Sequence, residues 1–412
     1  MLMLIVGLLI RLIVFLFIEI YAFQALKVLT KKKVYHWIWI GISTLVYLLF
    51  FGILLINSES IGQTKWHQYA FSLLLIFLSP KLILLISMFG EDTYRVFVKG
   101  IRMIGNSEVK SIPGRRKFVS QIALGIAAIP FASFLYGVTK GKYNFKVLKY
   151  ELAFDDLPEA FNGFTITQIS DIHSGSFTDK SKVQYALDLV ADQKSDLLLF
   201  TGDLVNDMAT EMNDFIEMFS QLKAPFGQYS VLGNHDYGDY AEWKGREDDK
   251  RKNFEAIKSI HSKIGFELLL NESRFIEKDN QKLALVGVEN WSKGYRESGD
   301  LNKASALVDQ KDFKVLMSHD PTHWEHEVKG DDFNYQLTLS GHTHGMQTGI
   351  EIPGFIKWSP ASFLYKQWAG LYEEFGRYVN VNRGFGFHVL AGRVGIWPEI
   401  TVIKLKKSVP IA

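Results

Sequence analysis

At 412 residues the chain exceeds one ordinary small domain, and it holds no cysteine, which excludes disulfides and thiolate metal sites. Its formal net charge of +2 conceals a split: residues 1–140 hold 15 Lys/Arg against 5 Asp/Glu, and the remainder hold 31 against 39. The basic residues of the first part flank apolar runs and the second part has no basic stripe, so nucleic acid is not an expected partner.

Four apolar runs fill the first 140 residues, roughly Leu2–Phe23, Trp37–Ile56, Tyr69–Phe89 and Phe118–Val138. Each has about 20 residues, enough for a helix to cross a hydrocarbon core about 30 Å thick. A transmembrane domain of about four helices is therefore expected over 1–140. Lys27, Lys31, Lys32 and Lys33 follow the first run, and Arg95, Lys99, Arg102, Lys110, Arg115, Arg116 and Lys117 follow the third. Only Lys65 lies between the second and third. Basic loops stay in the cytoplasm, so both termini and everything after Val138 are expected outside. Lys140, Lys142, Lys146 and Lys149 dissent from that pattern. The expected location is the inner cell membrane, multi-pass, with the second half on the exocytoplasmic side.

Arg11, Glu19 and Lys81 fall within the runs, where charged groups face a bundle interior or mark a functional path. Pro80 removes a backbone donor and is expected to kink its helix. The stretch from Ser111 to Gly137, "SIPGRRKFVSQIALGIAAIPFASFLYG", has the form of a twin-arginine export signal. Three spans precede it and no small-x-small cleavage pattern follows, so removal is not expected. Arg115, Arg116 and Lys117 read either as the cytoplasmic anchor of the fourth span or as a retained signal.

From about Asn144 short β-rich runs alternate with helical stretches, the pattern of a layered α/β domain, here 145–409. Helices are expected at Lys180–Gln193, Thr210–Leu222 and Ala241–Ile264. "FTITQIS" leads into Asp171-Ile172-His173, "DLLLFT" into Gly202-Asp203 and "GQYSVL" into Gly233-Asn234-His235-Asp236. "FKVLMS" leads into His319-Asp320 and "QLTLS" into Gly341-His342-Thr343-His344. Open α/β sheets place ligand sites at the carboxyl ends of their strands. Residues i and i+2 share one side of a strand, so Asp171 with His173, and His342 with His344, are each expected to converge on one point. Five of the 11 histidines occupy these positions, too many for chance; His36, His67, His261, His323, His326 and His388 read as surface or packing residues. Carboxylate, imidazole and amide oxygen without sulfur suit Mn, Fe or Zn. Six ligands and a bridging carboxylate fit two divalent ions, which clamp an in-line displacement and make hydroxide available near neutral pH.

In this order "SDIHSG", "TGDLVND", "LGNHDYG", "MSHDP" and "SGHTHG" resemble the five motifs of the calcineurin-like metallophosphoesterases, over residues 165–347. The C-terminal "YVNVNRGFGFHVLAGRVGIWPEITVIKL" is similar to a branch containing twin-arginine-exported bacterial phosphodiesterases and transmembrane proteins with a metallophosphoesterase domain. The resemblance implies a four-layer α/β/β/α sandwich with metals at one sheet edge. It implies that Asp171, His173 and His344 bind one metal, that Asn234, His319 and His342 bind the other, and that Asp203 bridges. His235 would contact the phosphate and protonate the leaving oxygen, and Asp236 would orient that imidazole. Met346 departs from the branch, which commonly has glycine there, and no ligand role is carried over to Glu289.

The expected function is a membrane-anchored dimetal phosphoesterase acting on phosphodiesters or phosphomonoesters. The segment holding Phe355, Ile356, Trp358, Phe363, Leu364, Tyr365 and Trp368 reads either as hairpin packing or as a meeting point with a lipid substrate or the bilayer interface. One alternative is a UDP-2,3-diacylglucosamine-type pyrophosphate hydrolase, whose cytoplasm-facing activity fits the topology poorly. A catalytically silent metal-binding sensor would have lost Asp203 or His235, and neither is lost. A transport or receptor module regulated by the soluble part rests only on Lys81 and Arg11. The His-x-His comes last in the chain, which sets amidohydrolases aside.

Overall fold

The computed structural model describes residues 2–56, 64–105 and 114–408. The Arg11 side chain, Ser111–Pro113 of the twin-arginine stretch and residue 409 lie outside that description. The chain divides into two compact units, Met1–Ser58 with Tyr69–Tyr136, and Glu59–Gln68 with Gly137–Ala412.

Long helices span Leu2–Leu29, Lys33–Ile56, Lys65–Gly105 and Arg115–Thr139 in the first part of the chain. Within the described residues, Lys33–Ile56, Lys65–Ile101 and Arg115–Thr139 are long and apolar enough to cross a membrane. Their exposed residues are mainly apolar, such as Leu55, Ile86 and Ile129, which inverts the pattern of a water-soluble bundle. Polar groups gather inside instead. Lys81 Nζ pairs with Glu19 and donates to Ser43 Oγ at 2.8 Å. Tyr47 OH donates to Glu19 at 2.8 Å and Trp39 Nε1 at 3.2 Å. Pro80 lies inside its helix, one residue from this cluster. A second cluster joins Arg115 to Glu91 at 2.9 Å, and Arg116 to Glu91, Asp92 and Gln24. The twin arginines are therefore engaged within the helical unit.

In the second unit, one six-stranded sheet runs in the order 146–154, 399–407, 165–169, 197–200, 228–230, 267–268. A second runs 370–374, 377–381, 337–340, 314–317, 281–287, 272–278. Strands 165–169, 197–200 and 228–230 are mutually parallel, as are 314–317 and 337–340, so their carboxyl ends share an edge within each sheet. These strands are almost wholly buried and read as apolar runs, the composition of a strand covered on both faces. One buried cluster draws Ile166, Leu199 and Val231 from the first sheet and Leu285, Val315 and Leu339 from the second. Fully burying each such side chain contributes roughly 1.5–3 kcal/mol. Leu198 and Phe200 pack with Val183, Leu187, Ile257 and Ile260 of helices Lys180–Ala191 and Glu247–Lys263. Leu316 and Val379 pack with Trp324 and Val328. Gln168 ties the sheets, donating to Ser340 O at 2.8 Å and accepting from Asn380 Nδ2 at 2.8 Å.

Two expected helices are corrected. Thr210–Leu222 divides into a 3₁₀ turn at Ala209–Met212 and a single α-turn at Ile216–Phe219. Glu211 caps the start of the 3₁₀ turn, its carboxylate accepting the amides of Asn206, Asp207 and Met208 and, across the loop, that of Gly175. The helix expected from Ala241 starts at Glu247, after Gly245 turns the chain with φ +73°. Glu247, Asp248 and Asp249 then fill its first turn, where the helix dipole favours negative charge.

Candidate metal centre

The motif residues meet at the carboxyl ends of these strands, but not on extended backbone. Asp171, His173, Asp203, His342 and His344 all have φ between +46° and +71°. Left-handed backbone at non-glycine residues is costly and clusters at functional sites. It also breaks strand alternation. Asp171 and His173 do join one group, with His344, but His342 joins Asp203 and His319 in another. The expected convergence of His342 with His344 is thus corrected: the turn sends adjacent ligands to two neighbouring points. Glycine makes the close approach possible. A Cβ at Gly233 would stand 2.1 Å from Asp203 Oδ1, and one at Gly341 2.2 Å from Asp171 Oδ2.

Each group of three offers ligand atoms within 4.8 Å of one another. Asn234 joins the second, its Oδ1 lying 3.1 Å from His319 Nε2 and 2.8 Å from His342 Nδ1. Asp203 Oδ2 lies between the groups, 3.5 Å from His173 Nε2 and 3.2 Å from His319 Nε2. Nδ1 of His319 is held by Thr201 O at 2.7 Å and Nδ1 of His173 by Asn206 Oδ1 at 3.2 Å. Those bonds turn Nε2 of each ring inward, the usual device around metal-binding histidines. Nε2 of His173 and of His344 are buried without a hydrogen-bond partner. Orphaned buried acceptors are expensive, and a divalent cation is the partner that suits two imidazoles beside a carboxylate. The donor set fits metal.

Electrostatics agree. Burial pushes the Asp203 carboxyl up, but the imidazoles of His319, His235 and His173 outweigh it and hold the group well below the usual range. Burial, with the neighbouring imidazole of His388, holds His173 far down and keeps it neutral. Burial alone would lower His319, yet Asp203 and Asp171 push it up to about 10. Asp203 and Asp171 thus stay ionised among the imidazoles of the centre.

His235 lies with its ring centroid 4.9 Å from that of His173, and its Nδ1 donates to Asn206 O at 2.7 Å. Asp236 does not touch that ring, which corrects the orienting role expected of it. Its carboxylate accepts the amides of Gly233, Asp203 and Leu204 at 2.8–2.9 Å, pinning two ligand loops together. Burial and the adjacent Asp203 push its pKa up to about 7. The expectation for His388 is also corrected. It stacks on His173 with centroids 4.7 Å apart, lies 4.4 Å from the His235 ring and contacts Asn206 Oδ1 at 3.2 Å. By contrast His261 and His323 are packing residues, bonded to Ser230 and Ser318. A cavity of about 480 Å³ opens over Asn234, His235, His342 and His388.

Fold and centre define a metal-dependent hydrolase joined to a membrane domain. A family model described as "Calcineurin-like phosphoesterase" matches residues 164–346. A second, described as "Probable Calcineurin-like phosphoesterase, transmembrane domain", matches residues 3–142. The chain belongs to the calcineurin-like phosphoesterases, hydrolases that act on phosphoric esters. It is 29 % identical to the metallophosphoesterase YkuE of Bacillus subtilis, over 61 % of this chain and 82 % of that one. It is 27 % identical to a transmembrane protein with metallophosphoesterase domain of Danio rerio, over 66 % of this chain and 60 % of that one. Phosphodiesterase YaeI of Escherichia coli is 26 % identical, over 71 % and 98 %.

Proposed function

We propose that the chain is a membrane-anchored phosphoesterase with two divalent ions of the Mn, Fe or Zn type. Asp171, His173 and His344 would hold one, Asn234, His319 and His342 the other, and Asp203 both. The observation that carries this reading is the Asp203 carboxylate, within 3.5 Å of an imidazole from each group. Ions so held would supply Lewis acidity and lower the pKa of a bound water. The protein contributes the rest. Asn206 aims the His235 ring, leaving Nε2 free to contact a phosphoryl oxygen and, when protonated, to donate to the leaving oxygen. Asp236 keeps the Asp203 and Asn234 loops in register.

In this reading the second unit is a four-layer α/β/β/α sandwich, and Leu2–Leu29 is a fourth span beside the three apolar helices. The basic loops support a catalytic unit outside the inner membrane. The silent-sensor alternative gains nothing, since Asp203 and His235 both stand in the centre. Purified full-length protein with Mn²⁺ is expected to cleave bis-p-nitrophenyl phosphate or p-nitrophenyl phosphate, and the ratio separates diesterase from monoesterase. His235→Ala is expected to cut kcat by about 10²-fold or more with metal content unchanged. Full activity in that variant would refute the assignment.

A further inference from the structure

The floor of the cavity is polar, but its mouth is not. Met346, Leu364 and Val389 line it and are 40, 67 and 43 % exposed. Two of them stand on left-handed backbone, with φ +47° at Met346 and +62° at Val389. A β-branched residue in that region is a genuine outlier, and glycine would occupy either position without strain. Neither side chain is buried, so core packing does not account for what stands there. Strained backbone that displays an apolar side chain at a cavity rim points to a ligand.

The apolar surface extends outward from Leu364. Its neighbour Phe363 lies 6.3 Å from the Trp358 ring, on the hairpin Ile350–Ile352 with Ile356–Trp358. Phe355, at the hairpin tip, is 85 % exposed. Ser359 Oγ donates to Gly345 O at 2.6 Å, tying the hairpin to the loop that carries His344. Exposed apolar side chains gathered in this way mark an interaction site.

The chain itself indicates the partner. Helix Arg115–Thr139, long and apolar enough to span a membrane, leads through the short turn Gly141–Tyr143 into the strand at Lys146. Within the second unit, Arg393 N donates to Gly137 O at 3.2 Å, and Val394 N donates to Gln347 O at 2.7 Å. The last turn of that helix and the loop bearing Met346 are therefore joined through two consecutive residues.

We propose that this collar binds the hydrocarbon part of a phosphoester lipid, so that the substrate is an amphiphile drawn from the bilayer. The proposal rests on the phosphoesterase reading above. The cavity would take the phosphoryl group, and Met346, Leu364 and Val389 the first methylenes of the chain.

The test uses the full chain in nanodiscs with Mn²⁺ and a series of alkyl p-nitrophenyl phosphates, from methyl to dodecyl. The wild type is expected to gain about twofold in kcat/KM per methylene over the first few carbons, as for a chain buried on one side. Met346→Gly/Leu364→Ser/Val389→Gly is expected to flatten that slope. Each enzyme is referred to its own methyl-ester rate, so lost turnover or yield cancels. Leu364→Ser alone, at an exposed position, provides a second variant and is expected to reduce the slope in part. Calorimetric titration should show dodecylphosphonate binding at least tenfold tighter than methylphosphonate in the wild type only. A flat wild-type slope with good methyl-ester turnover overturns the lipid collar and leaves the hydrolase standing. A slope that survives in the triple variant also overturns it. A flat slope with self-association lost in the variant assigns the patch to a second copy instead. No turnover on any ester overturns both readings.

Discussion

Asn206 serves three imidazoles at once. Its side-chain oxygen meets His173 Nδ1 and His388 Nδ1, each at 3.2 Å, and its backbone carbonyl holds His235 Nδ1 at 2.7 Å. One residue thus orients an expected metal ligand, the expected proton donor and the histidine that joins them at the cavity, through its side chain and its backbone. Partners behind metal-binding histidines are worth about 10–100-fold in affinity. Asn206→Ala is therefore expected to weaken Mn²⁺ binding by about that factor in a chelator competition; unchanged affinity would show that His173 orients itself. The expected ligands were legible because packing alone has no use for Asp, Asn or His at the end of an apolar strand five times over. His388 was not. It stands alone after "GFGF", with no spacing that links it to the other histidines, and only the turn after strand 377–381 carries it onto His173. The partition of His342 and His344 between two groups was also hidden from strand periodicity, because alternation describes extended backbone and these residues are left-handed.

Among the elements, the helices of the first unit hold their charges in pairs. Glu19, on the first helix, accepts from Trp39, Ser43 and Tyr47 on the second and meets Lys81 on the third. Breaking a buried pair leaves one charge uncompensated, at a cost of about 3–5 kcal/mol. Lys81→Met is expected to destabilise the helical unit by that amount in detergent-induced unfolding. Lys81→Met with Glu19→Leu should recover most of it. A single variant as stable as the wild type would show that Glu19 is solvated. Arg115 and Arg116 are engaged in the same manner by Glu91 and Asp92, which supports the anchor reading of that stretch. Hydrophobic length located the helices of the first part but not the end of the third, which continues past Phe89 to Gly105. At Thr210–Leu222 the periodicity read as one helix spans two separate turns, Ala209–Met212 and Ile216–Phe219.

For the whole molecule, two compact units divide the chain, and Glu59–Gln68 belongs with Gly137–Ala412 rather than with the helices on either side of it. Sheet order and the pairing of 146–154 with 399–407 were not legible, since nothing local in either strand specifies a partner about 250 residues away. Sidedness is open to direct measurement. Alkaline phosphatase fused at the C-terminus is expected to be active and a cytoplasmic reporter at the same place silent; the reverse would put the metal centre in the cytoplasm. The central claim, that Asp203 unites two metal sites into one hydrolytic centre, is tested most directly by metal content and turnover of Asp203→Asn measured together. Wild-type protein is expected to carry two divalent ions per chain. The variant should carry fewer, with kcat/KM lower by about 10²-fold or more on p-nitrophenyl esters. Two ions and undiminished turnover in Asp203→Asn would contradict the account.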